Sequence, residues 1–504
     1  MPTIDYAKEL NGEQLKVVQE GDGFALVLAG AGSGKTRTLV YRVAYLLEHG
    51  VDPSRVLLVT FTNKASKEML HRIDSILGGR TKGLWGGTFH HLGNRLLRMN
   101  SAVIGYPPNF TILDSDDSQQ LVKSVLGDLN IKPDKYFPKP DLIRDIISFA
   151  YNSQKPIDEV ILDRYRQLSP DIISTLQTIN QQYQSKKRQL GMMDFDDLLT
   201  NWYLLLHHPD HGPRIAGQFQ YVLVDEYQDT NKIQGSIVTL LAGVNKNLLV
   251  VGDDAQSIYS FRAATVSNIL DFPKQFSGAK VFKLETNYRS TPEILDLANA
   301  SIGNNSEQFA KALKSVKGSL MRPILMPVRD NYQQAEFVVD RILELRQQGY
   351  SLNDMAILSR STYQNIELEL EINKRQIHYE VRGGLRFFEQ AHIKDVVAFL
   401  RVMANPLDEL AWKRILGLQT GIGPTIASRV WQTIAGLSGT VDQVVSALRE
   451  MVLPGRADDG LKGMLAQLTR IIVAGTASAK ITAVLSGPYQ QHLKATYENA
   501  SDRI

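Results

Sequence analysis

The sequence has no cysteine among its 504 residues. Disulfide staples, thiolate metal centres and cysteine nucleophiles are therefore excluded, and the usage fits a cytoplasmic protein. No run approaches the ~18 apolar residues of a membrane span. The opening MPTIDYAKEL has no basic stretch followed by an apolar one, so a secretory leader is not expected. An excess of one charge is missing too: 56 basic against 53 acidic residues leave a net charge of +3. This argues against a histone-like polycation, although a local basic groove suffices for phosphate contacts. No fixed-period repeat or low-complexity tract stands out. The length predicts roughly three to four domains of about 150 residues, each large enough for a core.

The first chemical signal is FALVLAGAGSGKT, residues 24 to 36. The apolar run Phe24–Leu28 reads as a buried parallel strand. Ala29-Gly30-Ala31-Gly32-Ser33-Gly34-Lys35-Thr36 then reads as a P-loop, with alanine where the usual first glycine stands. Glycines let the backbone curl so that several N–H groups face phosphate oxygens. Lys35 is placed for the β- and γ-phosphates and the Thr36 hydroxyl for Mg²⁺. The positive end of the following helix favours the anion.

A second strand, Tyr221–Val224, ends in Asp225-Glu226 within YVLVDEYQDTN. Alone, such an acidic pair is more often a solvated turn. Beside a P-loop it fits an ATPase, with Asp225 holding Mg²⁺ and Glu226 acting as general base toward the attacking water. A third apolar run, Asn247–Val251, leads to Gly252-Asp253-Asp254-Ala255-Gln256, where Gln256 is positioned to sense a γ-phosphate.

These segments, with others in the same order, resemble superfamily 1 DNA helicases of the UvrD/Rep/PcrA type. Leu10–Gln14 resembles the Q motif, in which Gln14 would read the adenine edge. Val59–Ala65 (VTFTNKA) is similar to motif Ia, Thr88-Phe89-His90 to motif Ib and VDEYQDTN to motif II. VGDDAQSIYSFR, residues 251 to 262, is similar to motif III, and Leu284–Ser290 (LETNYRS) to motif IV. Gly383–Glu389 (GGLRFFE) resembles a further family segment. The resemblance implies an α/β fold: RecA-like P-loop domains, each a parallel sheet flanked by helices, with two mainly helical inserted domains. It places the first RecA-like domain at 1–90 and 214–281 and a helical insert at 91–213. Part of the second RecA-like domain falls at 282–377, with strand-like segments at Lys280–Glu285 and Met355–Ser359. A second helical insert covers 378–504.

The resemblance also implies residue roles. Tyr288 would stack on the adenine, Arg289 would reach the γ-phosphate as an arginine finger, and Arg37 would contact the nucleotide. Phe61, Tyr259 and Phe261 would stack DNA bases; Phe261 stands where tryptophan is common. Thr62, Asn63, His90 and Arg262 would contact the DNA backbone. Within the first insert, Ser118–Leu129 and Asp171–Lys187 show helical spacing, and the acids of Asp194–Leu199 (DFDDLL) read as helix caps rather than metal ligands. Gln419–Pro424 (QTGIGP) reads as a turn between helices, open either to duplex phosphates or to no ligand at all.

The function implied is ATP-dependent, 3′-to-5′ movement on single-stranded DNA with duplex separation, in repair or replication restart. Single-stranded and junction DNA would be the partners, with ATP and Mg²⁺ as cofactors and no membrane. The alternatives are a non-motor ATP- and DNA-binding regulatory protein, and an RNA-directed or nuclease-associated relative. The family's motifs V and VI are not found downstream of Gly384. They are expected from a missing C-terminal region or a second chain, and this chain alone is expected to be impaired.

Overall fold

A computed structural model describes residues 4–131, 134, 136–166, 168–382, 391–437 and 439–496. The chain forms two compact units, Met1–Leu320 with Asp395–Ile504, and Met321–Lys394. The first is built on six strands: β1 (Phe24–Ala29), β2 (Val56–Thr60), β3 (Trp85–Thr88), β4 (Tyr221–Val224), β5 (Leu248–Gly252) and β6 (Lys280–Leu284). Their order is β3-β2-β4-β5-β1-β6, and every neighbouring pair is parallel. The inner strands read as unbroken apolar runs because helices cover both faces. Along β1, Leu26 and Leu28 enter one core with Trp85, Trp202 and Phe219. Ala25, Val27 and Ala29 enter the opposite core with Leu39, Val43 and Leu58. The alternation follows from the two-residue period of a strand.

Two strand expectations change. Lys280–Leu284, read above as opening a second RecA-like domain, completes the first sheet, pairing with β1 from Ala25↔Lys280 to Ala29↔Leu284. Phe282 and Leu284 join the same core as Val27, and that burial decides the pairing. Met355–Ser359 forms no strand, with Leu358 95% exposed and no ladder partner among the described residues.

The insert between β3 and β4 is helical. Ser115–Asp128, Pro140–Ser153, Ile157–Arg164 and Ile172–Gln189 pack around Leu121, Ile143, Ile147, Leu176 and Ile179. Asp194 caps the helix Phe195–His207, accepting from the Asp197 N–H at 2.8 Å, and the Asp197 carboxylate answers at the Asp194 N–H. Lys187, wholly buried, pairs with both, at 2.5 Å and 2.6 Å.

The helices from Asp395 onward gather around Trp412, Val430 and Leu461. Arg401 ties them to the insert, bridging Asp117 and Asp408. The turn Gln419–Pro424 joins the helices Glu409–Gly417 and Pro424–Ala435. Gly421 there has φ +84°, and a Cβ on it would strike the Arg456–Ala457 backbone, so both the conformation and the close approach require glycine. In the second unit, Asn331–Gln347 packs on Ile366–Lys374 through Ala335, Val339, Leu368 and Ile372. The family-like segment Gly383–Glu389 lies outside the described residues.

Candidate functional site

Six parallel strands bring six C-terminal ends to one edge of the sheet, where ligand sites of open α/β sheets form. The P-loop follows β1, Phe61 follows β2 and His90 follows β3. Asp225 and Glu226 follow β4, Asp253–Gln256 follows β5, and Asn287–Arg289 follows β6. The strand order sets the P-loop between the last two groups and puts Phe61 beside the acids.

A hollow of about 470 Å³ opens there, lined by Ala31, Gly32, Gly34, Lys35, Thr36, Arg37, Glu226, Gln256, Tyr288 and Arg289. Gly32 and Gly34 have φ of +76° and +87°. A Cβ on Gly32 would come 2.5 Å from the Arg289 Cβ, so glycine is what lets the 287–289 segment lie on the P-loop. The Tyr288 N–H donates to the Gly32 carbonyl at 2.9 Å, and the Tyr288 hydroxyl accepts from Asn11 Nδ2 at 2.7 Å.

Lys35 Nζ donates to Glu226 Oε2 at 2.7 Å. Asp225 is 5% exposed and its Oδ1 has no hydrogen-bond partner. Burial, reinforced by the Glu226 charge, pushes its carboxyl up to about 7 against the pull of Lys35. Asp229 is pushed up to about 6 by the same two causes, and its Oδ1 is also orphaned. An orphaned, buried carboxylate oxygen suits a hard cation that takes its other ligands from phosphate and water, although Asp225, unlike its neighbour Glu226, is not among the residues lining the hollow. Among the described residues no cluster of three or more acids and histidines could hold a metal alone. Glu226 has a left-handed backbone (φ 50°), an uncommon conformation for a residue with a side chain, often kept at functional positions. Gln228 bridges the strands, donating to Glu226 Oε2 at 2.9 Å and accepting from the Asp253 N–H at 2.9 Å.

Other expected contacts sit deeper. Gln14 is buried and outside the lining; its amide donates to the Ser33 carbonyl at 3.0 Å and accepts from the Asn11 N–H. Ser33 Oγ donates to the Gly30 carbonyl, Ala29 is buried in β1, and Gly30 packs against Leu313. Arg37, though in the lining, donates to the Glu9 carbonyl and carboxylate. The sequence reading missed Glu68 and Arg72, which line the hollow from the helix Asn63–Leu77 and pair with each other at 2.5 Å. Their only sequence signal is an i,i+4 spacing shared with many surface pairs.

Aromatic side chains occupy the same edge. The ring centroids of Phe61 and Tyr259 lie 4.9 Å apart, and those of Tyr259 and Phe261 5.8 Å apart. Phe261 is 60% exposed, and the Arg262 guanidinium lies within 6 Å of both Tyr259 and Phe261. Thr62 caps the following helix by accepting from the Ala65 N–H, and Asn63 is exposed at its start. His90 meets Phe195 edge-on at 5.7 Å. Burial pushes His90 down to about 4, so it presents a neutral ring at neutral pH. Phe195, nearly half exposed, was read only as part of a cap. It is held by its neighbours: Asn152 Nδ2 donates to Asp196 Oδ1 at 2.6 Å, and Asn231 Nδ2 donates to Asn152 Oδ1 at 2.7 Å.

Residues 10–277 match the UvrD/REP helicase N-terminal domain family, and residues 282–446 match the UvrD-like helicase C-terminal domain family. The chain is 40% identical over 459 residues to DNA helicase II of Salmonella typhimurium, covering 90% of this chain and 62% of that protein. It is 38% identical over 431 residues to the ATP-dependent DNA helicase PcrA of Staphylococcus epidermidis, covering 85% and 58%. For PcrA of Staphylococcus aureus the identity is 38% over 426 residues, covering 84% and 57%. The chain thus spans about three fifths of the length of these relatives.

Proposed function

The chain belongs to the UvrD/REP helicase family, and on that premise we propose that it is the ATP-hydrolysing, strand-gripping part of a DNA helicase that moves 3′-to-5′ on single-stranded DNA. We place its work in the cytoplasm, in repair or replication restart; among the described residues no helix is long and apolar enough to cross a membrane. Motifs V and VI come, in this reading, from a further segment or a second chain. The observation that carries the proposal is the loop from Asp253 to Arg262. One end of it, Gln256, lines the nucleotide hollow, and the other, Tyr259 and Phe261, forms the aromatic row. A change at the phosphate is therefore a few peptide units from the bases.

Lys35 and Arg289 supply fixed positive charge where phosphoryl charge develops. Glu226, released from Lys35 when phosphate takes the lysine, is free to accept the proton of the attacking water. Thr36 and Asp225 would hold Mg²⁺, which when bound neutralises phosphate charge. Tyr288 offers a face to the base. Stacking on Phe61, Tyr259 and Phe261 is blind to sequence because every base has a π face. Movement requires that ATP bind the strand-gripping and strand-releasing arrangements with unequal affinity. The deciding experiment is ATP turnover with and without oligo(dT). A strong rise on adding the strand is expected, and ATP binding without any DNA-dependent turnover by the completed assembly would overturn the motor reading.

Substituting both Tyr259 and Phe261 by alanine removes two stacking platforms, each worth about 1–3 kcal/mol per base. The affinity for fluorescent oligo(dT), measured by anisotropy at fixed salt, is expected to fall by about tenfold or more. Unchanged affinity would move the strand's path elsewhere.

Asp225 carries a proton below about pH 7, and a divalent cation must displace it. Mg²⁺-dependent binding of a fluorescent ATP analogue is therefore expected to weaken as pH falls from 8 to 6, by up to about tenfold per unit below the Asp225 pKa. Mg²⁺-free binding should change much less. Equal pH profiles with and without Mg²⁺ would remove Asp225 from the cation site.

A further inference from the structure

We propose that Lys311 is a positioning residue for γ-phosphate recognition, setting Gln256 through Asp253. This rests on the reading of the hollow as a nucleotide site. The lysine is almost wholly buried, its side chain 6% exposed, and its Nζ lies 2.6 Å from Asp253 Oδ1 and also contacts Asp254. The two carboxylates are themselves buried. The other oxygen of Asp253, Oδ2, accepts from Gln256 Nε2 at 2.6 Å. An ionised carboxylate only accepts hydrogen bonds, so it fixes which way round the Gln256 amide sits. The nitrogen must face Asp253, and the carbonyl oxygen is the end left for the ligand side. Two adjacent buried carboxylates need a cation packed against them to hold their places. Lys311 is that cation.

The connection runs further in both directions. The Asp253 N–H is held by Gln228, which donates to Glu226, the partner of Lys35. Lys311 also opens the stretch that packs on the segment carrying Arg289. Three residues on, Lys314 pairs with Thr286 in a short parallel ladder, and Lys317 Nζ donates to the Arg289 carbonyl at 2.7 Å. The Phe309 N–H donates to Asp254 Oδ2 at 3.1 Å, closing the segment onto the same pair of acids. Lys311 thus registers the Gln256 loop against the Arg289 segment, so that two groups from different strands meet one phosphate.

The test uses the full chain with ADP and ATPγS as competing ligands against a fluorescent ADP analogue. The wild-type protein is expected to prefer ATPγS over ADP by tenfold or more. Lys311→Met is expected to leave ADP affinity within about twofold while the ATPγS preference falls to about twofold or less. Lys311→Arg, which restores the charge, should recover part of it. If Lys311→Met does not fold, Lys311→Met with Asp254→Asn removes one uncompensated charge and carries the same readout. A folded variant that keeps its ATPγS preference overturns the proposal. So does an equal loss for both ligands, which marks a merely structural lysine. A wild-type protein that binds both equally, with binding abolished in Lys35→Ala, overturns the proposal but leaves the P-loop reading standing. No binding of either ligand by the wild type would instead defeat the nucleotide-site reading itself.

Discussion

Replacing Lys35 by alanine is expected to abolish ATP turnover by the completed assembly and to cut ATP affinity by two to three orders of magnitude, with single-strand affinity held within about twofold. The Lys35 side chain is only 10% exposed and already placed by its ion pair with Glu226. A prepositioned charged donor in a partly desolvated site is worth roughly 3–4 kcal/mol to a phosphate ligand or its transition state. The substitution also leaves Glu226 without its cation. The aromatic row is untouched, because Phe61, Tyr259 and Phe261 rest on other strands. Steady-state hydrolysis, nucleotide titration and oligo(dT) anisotropy on one preparation separate the effects. Turnover surviving in Lys35→Ala would remove the P-loop from the mechanism.

The second large effect is on stability. Lys187→Met is expected to destabilise the helical insert by about 3–5 kcal/mol, because it strands two buried carboxylates. Lys187 Nζ bonds Asp194 and Asp197 and lies 4.2 Å from the Tyr183 ring centre, with no exposure at all. Lys187 holds Asp194 below the usual carboxylate range, whereas burial and the Asp194 charge raise Asp197 to about 7. Without the lysine both acids titrate upward. Carboxyls with raised folded-state values cost stability above their unfolded range and recover it as they protonate. The deficit of the variant should therefore be largest near pH 8 and shrink toward pH 5. Urea unfolding followed at Trp202, in the adjacent helix, reads this, and Lys187→Met with Asp197→Asn should restore part of the loss. A pH-independent deficit would show that packing, not charge, is the cause.

Much of the candidate site was legible because its residues stand in short contiguous stretches. A glycine-rich turn after an apolar run, and paired acids after another, need no distant partner to be recognised. What stayed hidden depends on contacts between remote parts of the chain. Lys311 is one lysine among many until the fold sets it against Asp253 and Asp254. Phe195 looked like filler within a cap because its exposure and its meeting with His90 arise only when the insert packs beside β3. Gln14 shows the reverse: its motif was plain, yet its amide is taken up by the Ser33 carbonyl and Asn11. The strand at Lys280–Leu284 was expected, but its sheet was misassigned, since an apolar pattern predicts a strand and not its neighbour. Met355–Ser359 was also read as strand-like, yet it finds no ladder to join among the described residues.

The pairing of β6 with β1 has a mechanical consequence. Arg289 and Lys35 sit five and six residues beyond the ends of adjacent, hydrogen-bonded strands, so they belong to one stiff frame. Their spacing does not have to be assembled from a loose hinge each time fuel arrives. In the proposed reading, the entropy of bringing two cations together is spent once, during folding, and each later catalytic round would inherit the finished anion trap.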